Sequence, residues 1–524
     1  MAPRMCQVFM AVALNICSFS AARGPACQDL ALHIGGFSSF SITNSSQVGG
    51  QSISFPTAKT LTNNIPLCRV QGHVGYALNK SIGVEVWLPF ADQWNGRYLV
   101  VGNGGLAGNI DYVSMLQQLN AGYAVAAGDS GHLLSNNGNG TTAPGQKIPF
   151  LQDREETIEW IHQSIASLTT PTRGLVESFY GQPPSHSYYQ GCSTGGAQGF
   201  ALAQYHPELF DGIIAGCPGN WYSHLILSFL WNHIHARDAF LEQETLDFIA
   251  NATVKSCDDL DGVKDGVIEN PLECQFNISQ LQCASGQERN STDGGIQCLT
   301  AGEVATYKAI RAGPIEVDTG RMVYPGFDLG SESSWLLQQE VLAINYTVPI
   351  VQNLVFRDLK YDYTAFNFSS QDLKLVDSRA SPYIDSISPD LLAYKQKGGK
   401  MIVYQGWADA FNAGTWPIKQ LEQTDAFLTS LGGFAGNASE FYRLFMVPGG
   451  GHCGPSAPYP QVPGKYHVLD ALTAWVENGT APLQVKSSAP PDASNRTRKL
   501  CPWPQTAELV GGNPDDWESF HCVD

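Results

Sequence analysis

The stretch Gln190-Gly191-Cys192-Ser193-Thr194-Gly195-Gly196 narrows what this chain can fold into more than any other. It follows a strand-like aromatic run, Ser187-Tyr188-Tyr189, and leads into a helical pattern over residues 197–205. Gly191-x-Ser193-x-Gly195 between a strand and a helix is the pattern of a nucleophile elbow. A tight strand-to-helix turn leaves almost no room two residues before and after the serine, so glycine stands at both places. The turn lifts the serine hydroxyl above a sheet, in front of the positive end of a helix. A chain with 53 glycines spells some Gly/Ser loops this way by accident, but no second match occurs and this one has the required flanks.

The segments around the elbow alternate between buried strands and helices. Residues 97–101 form a compact apolar strand that runs into Gly102-Asn103-Gly104-Gly105. That loop lacks the Lys-Ser/Thr of a phosphate-binding loop and opens no dinucleotide unit. It either presents a backbone N–H to an oxyanion or is a flexible turn. Residues 122–127 read as a further strand, 154–175 as a helix with Ile158, Ile161, Ile165 and Leu168 on one face, and Ile213-Ile214 as a strand. Short connections between such elements indicate an α/β fold with a mainly parallel sheet. From Trp221 the rhythm changes. Residues 226–249 read as one helix, cysteines and loops crowd 251–300, and apolar strands return only at 400–404 and 442–446. The chain is therefore read as an α/β domain, residues 23–221 and 389–524, interrupted by an insertion over 222–388.

A net charge of −18 with no basic run argues against nucleic acid or an anionic membrane as partner. Residues 1–22 read as a secretory signal, with Arg4, an apolar stretch over 8–16 and small residues Ser20-Ala21-Ala22. That stretch is too short to span a bilayer. Eleven Asn-x-Ser/Thr sites between Asn44 and Asn495 suit a glycosylated protein, and without an apolar C-terminal tail it is read as released. Of 13 cysteines, eleven remain after Cys6 and Cys17 leave with the signal. An oxidising destination makes them disulfide candidates, and the odd number leaves at least one unpaired. Cys217, closing the apolar run 212–216, is the expected free thiol. The absence of C-x-x-C removes zinc-ribbon and thioredoxin-like chemistry.

A serine at an elbow needs a base, and the base needs an orienting carboxylate. In α/β-hydrolase order both come later, acid first, each just after a strand. Asp409 follows 400–404 within Gln405-Gly406-Trp407-Ala408-Asp409, and His452 follows 442–446 within Gly449-Gly450-Gly451-His452-Cys453. Either alone would be an ordinary loop residue; together they form a candidate triad with Ser193. Cys192 precedes the serine and Cys453 follows the histidine. If serine and histidine must lie about 3 Å apart, the flanking backbones come within disulfide range. A Cys192–Cys453 bridge is expected.

Gly191-Cys192-Ser193-Thr194-Gly195-Gly196, Asp409 and His452-Cys453 resemble the Cys-Ser/Asp/His-Cys pattern of the tannase and feruloyl esterase family. The resemblance extends over nearly the whole mature chain, including Gly102-Asn103-Gly104-Gly105 and Cys501-Pro502-Trp503-Pro504-Gln505. It implies an α/β-hydrolase fold with a large inserted lid and hydrolysis of phenolic-acid esters. Thr194 is similar to the feruloyl esterase branch, since tannases more often carry aspartate there. Ala197, where relatives often have arginine, and Asn412-Ala413, without a proline often found after the acid, depart from the pattern and leave the substrate preference open.

Within the lid, Cys257-Asp258-Asp259-Leu260-Asp261-Gly262-Val263-Lys264-Asp265-Gly266-Val267 can bring three carboxylates together with the carbonyls of Val263 and Val267. Oxygen-only donors suit calcium, and on composition alone an acidic surface turn fits as well. The loop is similar, position by position, to the family's lid calcium site, with Asp258, Asp261, Val263, Asp265 and Val267 as ligands and a structural role for Ca2+. Cys257 and Cys274 bracket the loop and are expected to pair, as are Cys283–Cys298, Cys27–Cys68 and Cys501–Cys522.

The expected activity is a secreted serine esterase releasing hydroxycinnamic acids from plant cell-wall esters. Backbone N–H groups of Thr194, Gly104 and Gly105 would hold the oxyanion. Phe229-Leu230-Trp231 and Leu336-Leu337 either line the ring pocket or are plain lid core. The alternatives are a tannase acting on galloyl esters, a non-catalytic calcium-dependent carbohydrate- or surface-binding glycoprotein and, with a poorer elbow match, a serine carboxypeptidase. A homodimer is compatible with all of them.

Overall fold

The computed structural model describes residues 25–30, 39–55, 60–136, 147–291, 294–432 and 435–524. The expected signal segment 1–22 and the sequon at Asn139 lie outside them.

Three long strands, β1 (Phe40–Val48), β2 (Leu67–Ala77) and β3 (Lys80–Pro89), pair antiparallel. Six short strands follow: β4 (Arg97–Val101), β5 (Ala124–Gly128), β6 (His186–Cys192), β7 (Gly212–Gly216), β8 (Lys400–Gly406) and β9 (Tyr442–Val447). They form one sheet in the order β1-β2-β3-β5-β4-β6-β7-β8-β9. From β5 onward every neighbouring pair is parallel.

Successive strand residues point to opposite faces, and each face is covered. Val100, Ala126, Tyr189, Ile213 and Val403 pack into one core, against Ile165 and Leu168 of helix α2 (Ser164–Tyr180) and Phe200 of α3 (Thr194–Tyr205). Leu99, Val125, Tyr188, Ile214 and Ile402 pack into the other. There they meet Met115 and Leu119 of α1 (Tyr112–Asn120) and Leu472 and Trp475 of a C-terminal helix, Val468–Asn478.

Between β7 and β8, the described residues of 217–399 add no strand to this sheet and pack a third core against the sheet domain, whose Phe150, Trp160, Ala197, Ala201 and Trp416 belong to it. It gathers Ile226, Phe229 and Leu230 with Leu342, Ile350 and Leu354. The helix expected over 226–249 is two, α4 (Tyr222–Ala236) and α5 (Gln243–Cys257). The side-chain amide of Gln339 accepts from the Leu241 N–H at 2.8 Å and donates to its carbonyl at 3.0 Å, replacing helical partners at the break. The helix expected over 154–175 runs from Arg154 to Tyr180, with a π-turn at Glu159–Gln163. The widened turn offers the Trp160 carbonyl and the Ser164 hydroxyl to Gln198 of α3, at 2.9 and 3.1 Å.

Candidate active site

β6 ends at Cys192 and α3 begins at Thr194, leaving Ser193 alone in the turn at φ +63°, ψ −118°. The flanking glycines are required by distance. A Cβ on Gly191 would lie 2.6 Å from the Gly195 carbonyl, and one on Gly195 would lie 2.8 Å from the Asn103 carbonyl. The Ser193 N–H donates to Gly216 at 2.9 Å, and the Tyr189 hydroxyl donates to the Gly195 carbonyl at 2.7 Å.

The glycine loop after β4 is held against this turn. Gln198 accepts from the Asn103 N–H at 3.0 Å, and the Asn103 amide donates to the carbonyls of Asn109 and Gly128. The Thr194 hydroxyl donates to the Gly105 carbonyl at 2.7 Å. Gly104, Gly105, Ser193 and His452 thereby line one cavity of about 470 Å³, together with Tyr346 and Phe411. The supporting roles of Tyr189 and Gln198 carried no sequence signal, because a lone phenol or amide within an apolar element has no diagnostic spacing, and Asn103 stood out only as part of its glycine loop.

Asp409, 1% exposed, leaves β8 on a loop whose own N–H groups turn toward it. It accepts from Phe411 N at 2.7 Å, Asn412 N at 3.0 Å and the Gln405 side chain at 2.9 Å. His452 Nδ1 donates to it, 2.9 and 3.0 Å from the two oxygens. Burial alone would raise the Asp409 carboxyl. The facing imidazole and the N–H donors outweigh it and hold the group below its ordinary value of 3.8. Phe411 stacks on the His452 ring with centroids 4.4 Å apart. No hydrogen bond joins Ser193 Oγ to His452, a contact that commonly tightens only with substrate bound.

Cys192 and Cys453 are joined by a disulfide, Cα atoms 5.8 Å apart. Cys27–Cys68, Cys257–Cys274, Cys283–Cys298 and Cys501–Cys522 are also joined. Cys217 is the free cysteine among the described residues, and its buried sulfur accepts from the Cys453 N–H at 3.3 Å. Burial and the nearby Asp409 carboxylate push this thiol well up from its ordinary range. Of the two apolar stretches suggested for the ring pocket, Phe229 and Leu230 are core residues, whereas Leu336 and Leu337 line a separate cleft beside His452. Tyr346, from the π-turn Ala343–Thr347, is the aromatic that the insertion brings to the serine's cavity.

The acidic loop lies elsewhere, against the C-terminal segment. Asp258 Oδ1 accepts three backbone N–H groups, from Asp265, Gly266 and Val267. Arg498 reaches between Asp265 at 2.6 Å, Asp261 at 3.1 Å and Glu269 at 3.3 Å, and Arg496 also pairs with Asp265. The guanidinium separates the aspartates, which do not gather into a set with one oxygen each within 4.8 Å of the others. Two observations nevertheless fit a divalent oxygen-seeking cation. Asp258, Asp261, Asp265 and Glu269 exceed the two arginines by two negative charges, and Asp265 Oδ1 is buried with no hydrogen-bond partner. Arg496 and Arg498 were missed in the sequence because they stand more than 200 positions from the loop, and Glu269 because a single carboxylate after the Asp-Gly run has no diagnostic spacing.

A mainly parallel sheet with a strained serine between strand and helix, and acid and base candidates after the later strands, defines the α/β-hydrolase class. Comparison with known proteins narrows it. The family model described as tannase and feruloyl esterase matches residues 68–523. An uncharacterized esterase of Xanthomonas campestris is 31% identical over 96% of this chain and 92% of its own length. Feruloyl esterase C of Talaromyces stipitatus is 30% identical over 87% of this chain and 86% of its own. Among solved structures, feruloyl esterase B from Aspergillus oryzae is similar with a TM-score of 0.80 and 27% identity, over 95% of this chain and all of that one. Tannin acyl hydrolase from Aspergillus niger shares the fold, with a TM-score of 0.71 at 22% identity over 96% of this chain and 94% of that one. The chain belongs to the tannase and feruloyl esterase family and is a carboxylic ester hydrolase.

Proposed function

We propose that the protein is a secreted serine esterase that releases hydroxycinnamic acids of the ferulic, p-coumaric and caffeic type from plant cell-wall esters. The reading rests above all on one observation: the strained Ser193 and the Asp409-paired His452 open into one cavity. His452, oriented through Nδ1 by Asp409, takes the Ser193 proton as the oxygen attacks the ester carbonyl. The N–H groups of Thr194, Gly104 and Gly105 receive the oxyanion, each such donor lowering the barrier by about 3 kcal/mol. The alcohol leaves with the proton from His452, and water then hydrolyses the acyl-enzyme. Tyr346 and Phe411, edge to face with centroids 6.5 Å apart, offer an aromatic wall suited to a phenolic ring.

Secretion is supported by five disulfides and by the sequons. Of the ten sequon asparagines within the described residues, nine are exposed and Asn345 is half-buried. Among those residues no helix is long and apolar enough to cross a membrane. Calcium is part of the proposal as a structural ion. Asp258, Asp261 and Asp265 with the carbonyls of Val263 and Val267 would hold it, and it would supply positive charge to a buried acidic cluster while taking no part in the acyl transfer.

The experiment is turnover of methyl ferulate beside methyl gallate, by wild type and Ser193→Ala. Wild type should prefer the ferulate, and the variant should be folded and inactive. Preference for the gallate would make the enzyme a tannase. Full activity in the variant, or no labelling of Ser193 by a fluorophosphonate, would end the serine mechanism.

A further inference from the structure

The acid loop, residues 407–414, joins β8 to the helix Thr415–Ser430 of the sheet domain, yet the insertion grips it at two points. Near its start the Gln338 side chain donates to the Ala410 carbonyl at 2.5 Å. At its end the Asp328 carboxylate accepts from the Gly414 N–H at 2.9 Å. That approach needs glycine, because a Cβ on Gly414 would lie 2.8 Å from Asp328 Oδ2 and 2.6 Å from the Trp407 ring. Gln338 and Asp328 are both buried.

The bond from Gln338 bears on the triad through a single peptide plane. A trans peptide is planar and points its C=O and its N–H in opposite directions. Opposite the Ala410 carbonyl in that plane is the Phe411 N–H, which donates to Asp409 Oδ1 at 2.7 Å. This is shorter than the bonds that Asp409 receives from Asn412, Gln405 and His452. Gln338 is itself oriented, since Asn232 of α4 donates to its Oε1 at 2.9 Å. The donors therefore run in one direction, from Asn232 to Gln338, from Gln338 to Ala410 and from Phe411 to Asp409. Bonds aligned in this way strengthen one another where water is excluded. Turning the 410–411 peptide would withdraw the Phe411 N–H and leave the carboxylate less firmly aimed at His452 Nδ1. The bond from Gly414 to Asp328 keeps the far end of the loop from following such a turn.

Gln338 lines neither the cavity at the serine nor the cleft beside His452, so it does not act by touching a substrate. The next residue, Gln339, is buried as well, but its side chain bonds to the backbone of Leu241 within the insertion. Two adjacent glutamines of one short helix, Leu336–Gln339, thus differ in what they hold. Resting on the esterase reading above, we propose that Gln338, with Asp328 at the other end of the loop, is a positioning residue for the triad's acid, acting through the peptide between Ala410 and Phe411. The insertion then does more than cover the site, since the aim of Asp409 depends on its being docked.

The test measures kcat and KM on methyl ferulate, the melting temperature and the nitrogen NMR resonances of the His452 ring for wild type, Gln338→Met and Gln339→Met. Methionine keeps the length of the side chain and removes its amide. Gln338→Met should lose about tenfold or more in kcat with KM unchanged, and its His452 Nδ1 resonance should move. Gln339→Met should also melt earlier than wild type while keeping the wild-type kcat and resonance. Full kcat with an unmoved resonance in Gln338→Met, or an equal loss of kcat in Gln339→Met, would overturn the assignment. Should Gln338→Met not fold, Asp328→Asn, which keeps the side chain's size and weakens only the acceptor, is expected to lose kcat without a change in KM. Full kcat in that variant would overturn the assignment too. If wild type cleaves no ester, the esterase reading itself fails and the His452 resonance decides alone. A shift in Gln338→Met that is absent from Gln339→Met then supports the positioning, and no shift refutes it.

Discussion

Ser193 occupies a backbone region that costs a non-glycine residue about 1–3 kcal/mol. It stays there because its neighbours leave no alternative. Gly216 takes its N–H, Tyr189 binds the Gly195 carbonyl, and Gln198 joins α3 to the glycine loop and the π-turn at once. Asp409 is over-determined in the same way, with four donor groups directed at one buried carboxylate. Asp409→Asn preserves shape but removes the charge that fixes the His452 tautomer, so kcat should fall about 10⁴-fold while the protein remains folded. Because the folded carboxyl is held below 3.8, its contribution to stability is complete above about pH 4 and is lost as pH falls through the lower folded value. Thermal melts between pH 5 and 2 should show a shallower decline in Asp409→Asn than in wild type, and equal slopes would contradict the assignment. At this scale, candidates with a fixed place in the chain order of strands could be read from the sequence. Supporting residues such as Gln198 could not, since their partners come from four separate segments.

Among the elements, the parallel strands were legible because each is a short run whose centre is apolar and buried on both faces. The errors arose where a side chain replaces a backbone hydrogen bond. Gln339 breaks the expected 226–249 helix at Leu241, although the residues around the break do not themselves forbid a helix. The loops bearing Ser193 and His452 are also tied to each other by the Cys192–Cys453 bond, which closes a separation of 261 residues. Closing so long a loop restricts the unfolded chain and, by chain entropy, is worth about 5 kcal/mol. Cys192→Ser/Cys453→Ser should therefore melt earlier and, with the base loop free to drift, lose more than about tenfold in kcat on methyl ferulate. A variant that melts earlier but keeps full kcat would show that the bond stabilises the fold without positioning His452.

In the whole molecule, the insertion and the C-terminal segment meet at the acidic loop. Besides the arginine pairs, Leu509 N donates to the Asp261 carbonyl at 3.3 Å and Ala507 N to Glu269 at 2.8 Å. Under the calcium proposal, removing the ion would leave excess negative charge that Arg496 and Arg498 do not balance, and so should loosen the insertion from the C-terminus. Chelation with EGTA should lower the melting temperature by several degrees, calcium should restore it, and fluorophosphonate labelling of Ser193 below the transition should persist. An unchanged melting temperature, with no calcium found by elemental analysis, would remove the ion from the proposal.

The Cys192–Cys453 bond also makes a covalent ring of residues 192–453, and the whole insertion is an arc of that ring. The remaining four disulfides all close within residues 27–68, 257–274, 283–298 or 501–522, and none spans the long arc from 299 to 452. A single peptide cut anywhere on that arc opens the ring without parting the molecule. Ser193 and His452 would then belong to different polypeptides, an enzyme of two chains held as one until a reductant reaches the sulfur beside Ser193.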